Sequence, residues 1–295
     1  MILHNNINLL QEDFKNEKDL QNYFESNINT ILKLQFITSE LTVGDFRIDS
    51  LAFDPENKSF KIIEYKNVKN NSLIDQGYTY LKLLFERKAD FLLKYNEVTK
   101  SSLTKDDIDW TQSRIIFVAP SFSKYQLNAN NFKDLPIELY TITRYANEIV
   151  NIEQISKTSS TSIKYIKPDI DKVDNEIIVY NESDHLNNSS QDIKDTYHIL
   201  KDRVLELDDI DIEFKKYYIA FKGRTNIMDL IFNKNTIKVQ LNVKKGNLID
   251  PLNLARDISD IGHWGNGDYQ LEITNIDDVD ILIPLIKQSL KINKK

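Results

Sequence analysis

The stretch FRIDSLAFDPENKSFKIIEYKN, residues 46–67, alternates apolar and polar side chains on both sides of a turn-rich DPENK and reads as a β-hairpin. A loop from Pro55 to Lys58 pairs Asp54 with Ser59, Phe53 with Phe60, Leu51 with Ile62, Asp49 with Glu64 and Arg47 with Lys66. Side chains alternate along a strand, so all five pairs share one face, with opposed Cβ atoms about 4.5–5.5 Å apart. Leu51, Phe53, Phe60 and Ile62 turn that face toward a core. Further along it, two carboxylates meet beside two cations. Unpaired, Asp49 and Glu64 repel and one takes a raised pKa, whereas a hard divalent cation with oxygen ligands from both removes the conflict. Arg47 opposite Lys66 is equally unfavourable alone. An acidic pair next to a basic pair suits a metal ion and a phosphate brought from outside. The plainer reading is a solvated ribbon whose diagonal Asp49–Lys66 and Arg47–Glu64 ion pairs each contribute less than about 1 kcal/mol. The apolar pairs on the same face weigh against it, because four charges facing a core are costly.

Outward from the hairpin, NEKDLQNYFESNINTIL places Leu20, Phe24, Ile28 and Ile31 at helical spacing, with Asn16 as N-cap and Asp19 three residues on. QFITSELTV precedes the hairpin as a strand. A long helix fits SLIDQGYTYLKLLFERKADFLLKY, residues 72–95, and brings Gln76 and Tyr80 onto one face, one turn apart. SRIIFVAP and IELYTITRY are β-rich, with a short helix around SKYQLNANNF between them. The order αβββαβαβ makes a mixed α/β layer over residues 1–155. Residues 156–190 shift to Ser, Thr, Asn, Asp and Lys and read as a linker, with one short strand at EIIVY. Residues 191–295 read as a smaller α+β domain: a helix at DIKDTYHILKDRVLEL, strands at EFKKYYIAFKG, IMDLIFNK, TIKVQLNVK and DYQLEIT, and a closing helix at DDVDILIPLIKQSLKI.

Composition narrows the chemistry. The 295 residues are 41% hydrophobic, enough for two packed cores. Cysteine is absent, which removes disulfides, thiolate zinc sites and cysteine nucleophiles and fits a reducing cytoplasm. MILHNNINLLQEDF has no basic-then-apolar leader pattern, and no 18-residue apolar run could span a membrane, so a cytoplasmic protein is expected. The net charge of −7 argues against a non-specific nucleic-acid coat, leaving local basic patches to bind phosphate.

RID, EYK and QGYTY resemble the D…(D/E)xK…QxxxY series of the PD-(D/E)XK nucleases, in particular the RecB-like and archaeal NucS-type branches. The resemblance implies a restriction-endonuclease-like mixed sheet flanked by helices and Mg²⁺ (or Mn²⁺)-dependent hydrolysis of DNA, single-stranded or branched DNA included. By the same resemblance Asp49 and Glu64 would hold the metal with the Tyr65 carbonyl. Lys66 would orient or help activate the attacking water and stabilise developing charge. Gln76 and Tyr80 would position substrate or Lys66, and Glu17 would be the first-helix acid that often joins such sites. Arg47, from the hairpin face, and Lys82, from the charged face of the following helix, are the candidate substrate contacts. An acid in a first helical turn is also favoured by the helix dipole alone, and Glu40 is a weaker candidate. KDLQNYFESN, DWTQSRIIFVAP, YNESDHL, KKYYIAF and RDISDIGHWGNGDYQLEIT extend the resemblance over nearly the whole chain, to a family with a NucS-like N-terminal domain and a C-terminal domain of unknown function. Some of its members are labelled predicted transport protein, a label that a chain without a membrane-spanning run does not support. A homodimer is left open.

GHWGNGD, residues 262–268, reads as a tight turn in which Trp264 packs and His263 caps, the alternative being a site in which His263 and Asp268 contact phosphate or a base. His4, His185 and His198 show no metal-ligand spacing. Lys82, Arg87, Lys88 and Lys94 form either a solvated helix face or a flank for a nucleic-acid backbone. Beside the nuclease stands a second expectation, a module that keeps the fold only to dock nucleic acid or protein.

Overall fold

The computed structural model describes residues 3–4, 7–67, 73–159, 161 and 178–293, and the chain divides into two compact units, Met1–Val179 and Tyr180–Lys295. Strands β1 (Leu3–His4) and β2 (Ile7–Asn8) form a small ribbon, followed by β3 (Gln11–Glu12). Helix α1 (Glu17–Leu32) starts where the Asn16 side chain accepts the Asp19 N–H at 2.8 Å, the cap its sequence predicts, and buries Leu20, Phe24 and Ile28. Strands β4 (Gln35–Val43), β5 (Phe46–Asp54) and β6 (Ser59–Tyr65) then run antiparallel. Leu51–Ile62, Phe53–Phe60 and Asp54–Ser59 pair in the expected register.

Helices α2 (Leu73–Glu86) and α3 (Lys88–Thr99) carry the chain to β7 (Arg114–Ala119), parallel to β6. After α4 (Lys124–Asn130), β8 (Ile137–Tyr145) lies parallel to β7, and β9 (Ile149–Gln154) returns antiparallel along β8. The seven strands form one mixed sheet in the order β3-β8-β7-β6-β5-β4, with β9 also on β8. Alternation along the strands gives it two cores. Leu51, Phe53, Phe60, Ile62 and Phe117 pack with α2 and α3, while Ala52, Ile63, Tyr65 and Val118 pack with α1. Gly77 is where α2 comes closest to the sheet: a Cβ there would sit 2.6 Å from Ile137 Cδ1.

The single helix expected over 72–95 is two. Its first residue lies outside the described residues, and Arg87 leaves the helical region (φ −116°, ψ 30°) after its N–H closes α2 on the Leu83 carbonyl at 2.9 Å. The break re-aims α3 so that Phe91 and Tyr95 meet the Phe53 and Phe60 rings. Tertiary packing of aromatics overrides a run of helix-compatible residues here.

In the second unit α5 (Glu182–Leu186) and α6 (Gln191–Leu205) precede β10 (Asp211–Phe214), β11 (Ile219–Lys222), β12 (Asn226–Phe232), β13 (Ile237–Leu241), β14 (Arg256–Asp257), β15 (Tyr269–Ile273) and α7 (Asp277–Asn293). The strands form an antiparallel sheet in the order β10-β11-β12-β13-β15-β14. EFKKYYIAFKG, expected as one strand, folds as the β10–β11 hairpin. The Lys215 N–H closes its turn on Tyr218 O at 2.9 Å, and Glu213 takes Lys215 at 2.7 Å and Lys222 at 2.9 Å. Helix α5, opened by an Asn181–Asp184 capping box, falls within the stretch read as linker. Of EIIVY, Glu176 and Ile177 lie outside the described residues, and 178–180 form no strand. Most of the rest of that stretch, 162–175, and the His4 side chain also lie outside them. No helix among the described residues is long and apolar enough to cross a membrane.

Candidate active site

The antiparallel pairing of β5 with β6 runs to Ser50–Ile63, and beyond it side chains take over the bonding. Glu64 Oε1 accepts the Asp49 N–H at 3.0 Å, and Asp49 Oδ2 accepts the Tyr65 N–H at 3.1 Å. Each carboxylate is thus tied to the backbone of the other strand. Lys66 instead follows β7, its N–H on Val118 O at 2.9 Å. Arg47 lies opposite Thr42 on β4, and its guanidinium reaches Glu40 at 2.5 Å. The expected Arg47–Lys66 pair is therefore not made: Lys66 continues the pairing of β6 with β7, and Arg47 that of β5 with β4.

Four predicted residues converge on Glu64, whose side chain is 2% exposed. Gln76 donates from Nε2 to Glu64 Oε2 at 2.8 Å, and Lys66 Nζ stands 3.5 Å from the same oxygen. Gln76 Nε2 also meets the Tyr80 hydroxyl at 3.0 Å, and Tyr80 donates to Arg47 O at 3.0 Å. Helical spacing on α2 brings Gln76 and Tyr80 here together. Glu17 stands at the rim, 4.0 Å from Lys66 Nζ, and accepts the Asn67 N–H at 3.3 Å. The Tyr65 ring packs in the α1 core, so only its backbone faces the acids. Glu40 is gripped by Lys18 at 2.9 Å and by Arg47. Lys82 is on the exposed side of α2, 3.8 Å from Glu86, away from this cluster. Lys94 similarly meets Glu97 at 3.1 Å, while Lys88 lies over the Phe85 and Trp110 rings.

Burial dominates the electrostatics. It pushes Glu64 up from its usual 4.5 to about 7, with the Asp49 charge the next cause, and it raises Asp49 as well, against the lowering effect of the Tyr65 N–H. Burial and then the Glu64 charge raise the Tyr80 phenol. The Lys18 hydrogen bond holds Glu40 below the ordinary carboxylate range. The site is a pair of mutually repelling acids, both raised by burial, with one ammonium and two neutral donors around them. Two oxygen-donor carboxylates match the hardness of Mg²⁺, which usually takes one or two of them and keeps several waters. No third Asp, Glu or His among the described residues comes close enough to make a three-ligand set.

Gln21 and Glu25, on α1, also bond to this region and were not anticipated: Gln21 Nε2 donates to the Asp49 carbonyl at 3.0 Å. The available signal was a pair of polar residues four apart along the buried stripe of Leu20, Phe24 and Ile28.

In the second unit the GHWGNGD turn is bound down by Gly265 (φ +90°) and Gly267 (φ +94°), where a Cβ would collide with Gln240 Oε1 and with Leu241 O. Trp264 stacks on Tyr217 with centroids 3.9 Å apart yet stays 57% exposed, and His263 Nδ1 pairs with Ile261 O at 2.7 Å. Asp268 accepts the Lys245 N–H at 2.8 Å. His263 and Asp268 thus serve separate backbone contacts.

Residues 182–293 match a family model described as Domain of unknown function (DUF5655). A Haemophilus influenzae protein named "Uncharacterized protein" is 45% identical over 288 residues, spanning 96% of this chain and 95% of its own length. Two solved structures resemble smaller parts. One is described as the structure of an EndoMS-dsDNA2 complex (17% identity, TM-score 0.29, 41% of this chain and 42% of that one). The other is a repair endonuclease from Pyrococcus abyssi (20% identity, TM-score 0.28, 40% of this chain and 44% of that one). The chain spans less than half the length of either, and likenesses of that strength carry no weight for activity. The 45% identity over nearly the full length does decide kinship: the chain belongs to the family of the Haemophilus influenzae protein.

Proposed function

We propose that the first unit is a metal-dependent nuclease that hydrolyses DNA phosphodiesters, with Mg²⁺ or Mn²⁺ held by Asp49, Glu64 and the Tyr65 carbonyl. The observation that carries this reading is the Asp49–Glu64 pair, two acids on adjacent strands whose carboxyls are both raised by burial. Such a pair is a liability in a scaffold and an asset around a cation. A cation bound there supplies Lewis-acid polarisation of a phosphoryl oxygen. The chain's own residues do the rest. Gln76 fixes the rotamer of Glu64 through Oε2, and Tyr80 ties α2 to β5 through Arg47 O. Lys66 aims N–H donors at the face of the pair, where they can hold the attacking water and stabilise the charge that grows on the phosphoryl oxygens. Glu17 keeps the Lys66 ammonium at the rim. Arg47, next to the pair on β5, is the nearer substrate contact, and Lys82 would meet the nucleic-acid backbone further along α2.

The second reading, a module that keeps the fold to dock nucleic acid or protein, is favoured by one observation: Glu17 and Glu40 face cations rather than the acid pair. A panel of single-stranded, branched and mismatched DNA incubated with Mg²⁺ or Mn²⁺ separates the two. Cleavage by the wild type and none by Asp49→Ala or Lys66→Ala, both still folded, supports the nuclease. An inert wild type that still retains labelled DNA supports the module.

A further inference from the structure

Helix α1 reaches the acid pair through its second turn rather than its first. Gln21 is buried, and its Oε1 accepts the Lys18 ammonium at 2.9 Å, which fixes the sense of the amide. Its Nε2 then donates to the Asp49 carbonyl at 3.0 Å and to Glu25 Oε1 at 2.8 Å. Glu25 continues the chain of bonds: Oε1 accepts the Ser50 hydroxyl at 2.6 Å and Oε2 the Ser39 hydroxyl at 2.7 Å. Ser39 and Ser50 face each other across the β4–β5 ladder, and the next paired residues are Leu41 and Ile48. Glu40 and Asp49 are the residues between those two rungs. One carboxylate therefore spans the rung beside Asp49, while one amide holds the Asp49 backbone itself.

That rung needs holding. Glu40 has φ +54° in mid-strand, a left-handed conformation that a non-glycine residue keeps only when its surroundings over-determine it. Ser50 is fully buried, and its hydroxyl also lies 3.1 Å from the Tyr65 hydroxyl, so the clamp reaches β6 through the residue that follows Glu64. The β5–β6 ladder ends at Ser50–Ile63, one residue before Asp49. We infer that Gln21 and Glu25 are positioning residues: from α1 they clamp the Ser39–Ser50 rung, next to the strained Glu40, and the Asp49 backbone, and so set where the Asp49 carboxylate stands relative to Glu64. This rests on the proposed metal-dependent activity of the same site.

The test uses the full chain with Gln21→Met, Glu25→Gln and the milder Ser39→Ala, each compared with wild type by calorimetric Mn²⁺ titration and by DNA cleavage kinetics. Circular dichroism and the thermal midpoint check that each variant folds. Gln21→Met and Glu25→Gln should weaken Mn²⁺ binding and lower kcat by roughly tenfold or more with little change in KM for DNA, as loss of the bonds that orient a metal ligand does. Ser39→Ala should move both in the same direction by less, and covers the case in which a stronger variant fails to fold. A merely structural role would lower the midpoint and leave metal affinity and kcat unmoved well below it. Folded variants with wild-type Mn²⁺ affinity and kcat overturn the inference while the nuclease reading stands; a wild type that binds no Mn²⁺ overturns both.

Discussion

Replacing Asp49 by Asn should make the metal-free protein more stable at pH 8 while destroying its response to divalent ions. Asn keeps an acceptor for the Tyr65 N–H and removes only the charge. In the folded wild type Glu64 is pushed up from its usual 4.5 to about 7, first by burial and then by Asp49. Raising a carboxyl that far costs about 3 kcal/mol of stability once it is ionised, since each pKa unit is worth about 1.4 kcal/mol. Burial carries the larger share, so removing the Asp49 charge should return on the order of 1 kcal/mol, a rise of roughly 2–4 °C in the unfolding midpoint of a domain this size. The folded pKa lies above the unfolded one. The stability contributed by Glu64 is therefore complete below pH 4.5, is lost as pH rises through 7, and the gain from Asn should fade below about pH 5. Differential scanning fluorimetry in EDTA and in Mg²⁺, at pH 8 and pH 5, measures all four corners. Asn should lead in EDTA at pH 8, and the wild type alone should gain with Mg²⁺ through mass action on a folded-state site. An Asp49→Asn protein less stable than wild type in EDTA at pH 8 would refute the claim that the two acids oppose each other in the fold.

Other perturbations probe the surroundings of the pair. Tyr80→Phe loses the bonds to Arg47 O and Gln76, and should cost about 1 kcal/mol of stability in urea titrations while lowering cleavage more than thermal stability suggests. Gly77→Ala should destabilise the first unit by about 1–3 kcal/mol, since the new Cβ meets Ile137 and Phe117 where α2 crosses the sheet; calorimetry reads it. Lys82→Ala, on the exposed side of α2, should change DNA affinity only through its salt dependence and leave the Mn²⁺ affinity of the acid pair unmoved in calorimetric titration.

The parts of the fold that local pairing decides were readable in advance. Phe53–Phe60 and Leu51–Ile62 determined the hairpin register, and from it followed the meeting of Asp49 with Glu64. Helical spacing brought Gln76 and Tyr80 to them. What escaped depended on the third dimension. Nothing in the run around Arg87 favours a break; it comes from aromatic packing of α3 on Phe53 and Phe60. The turn between β10 and β11 contains Lys215 to Tyr218 and no Gly, Pro or Asn, so it carried none of the usual turn residues. Arg47 and Lys66 separated because β6 has a second neighbour, β7, that the hairpin alone does not reveal. Gln21 resembled any polar residue on an amphipathic helix until its amide met the Asp49 carbonyl.

Crystals of the wild-type chain soaked in Mn²⁺ and measured at a wavelength where manganese scatters anomalously would show whether Asp49 and Glu64 hold a metal. An anomalous peak coordinated by the carboxylates of Asp49 and Glu64 is expected, absent in Asp49→Asn crystals treated the same way. A wild-type map with no peak there, and Lys66 and Gln76 still closed on Glu64, would contradict it.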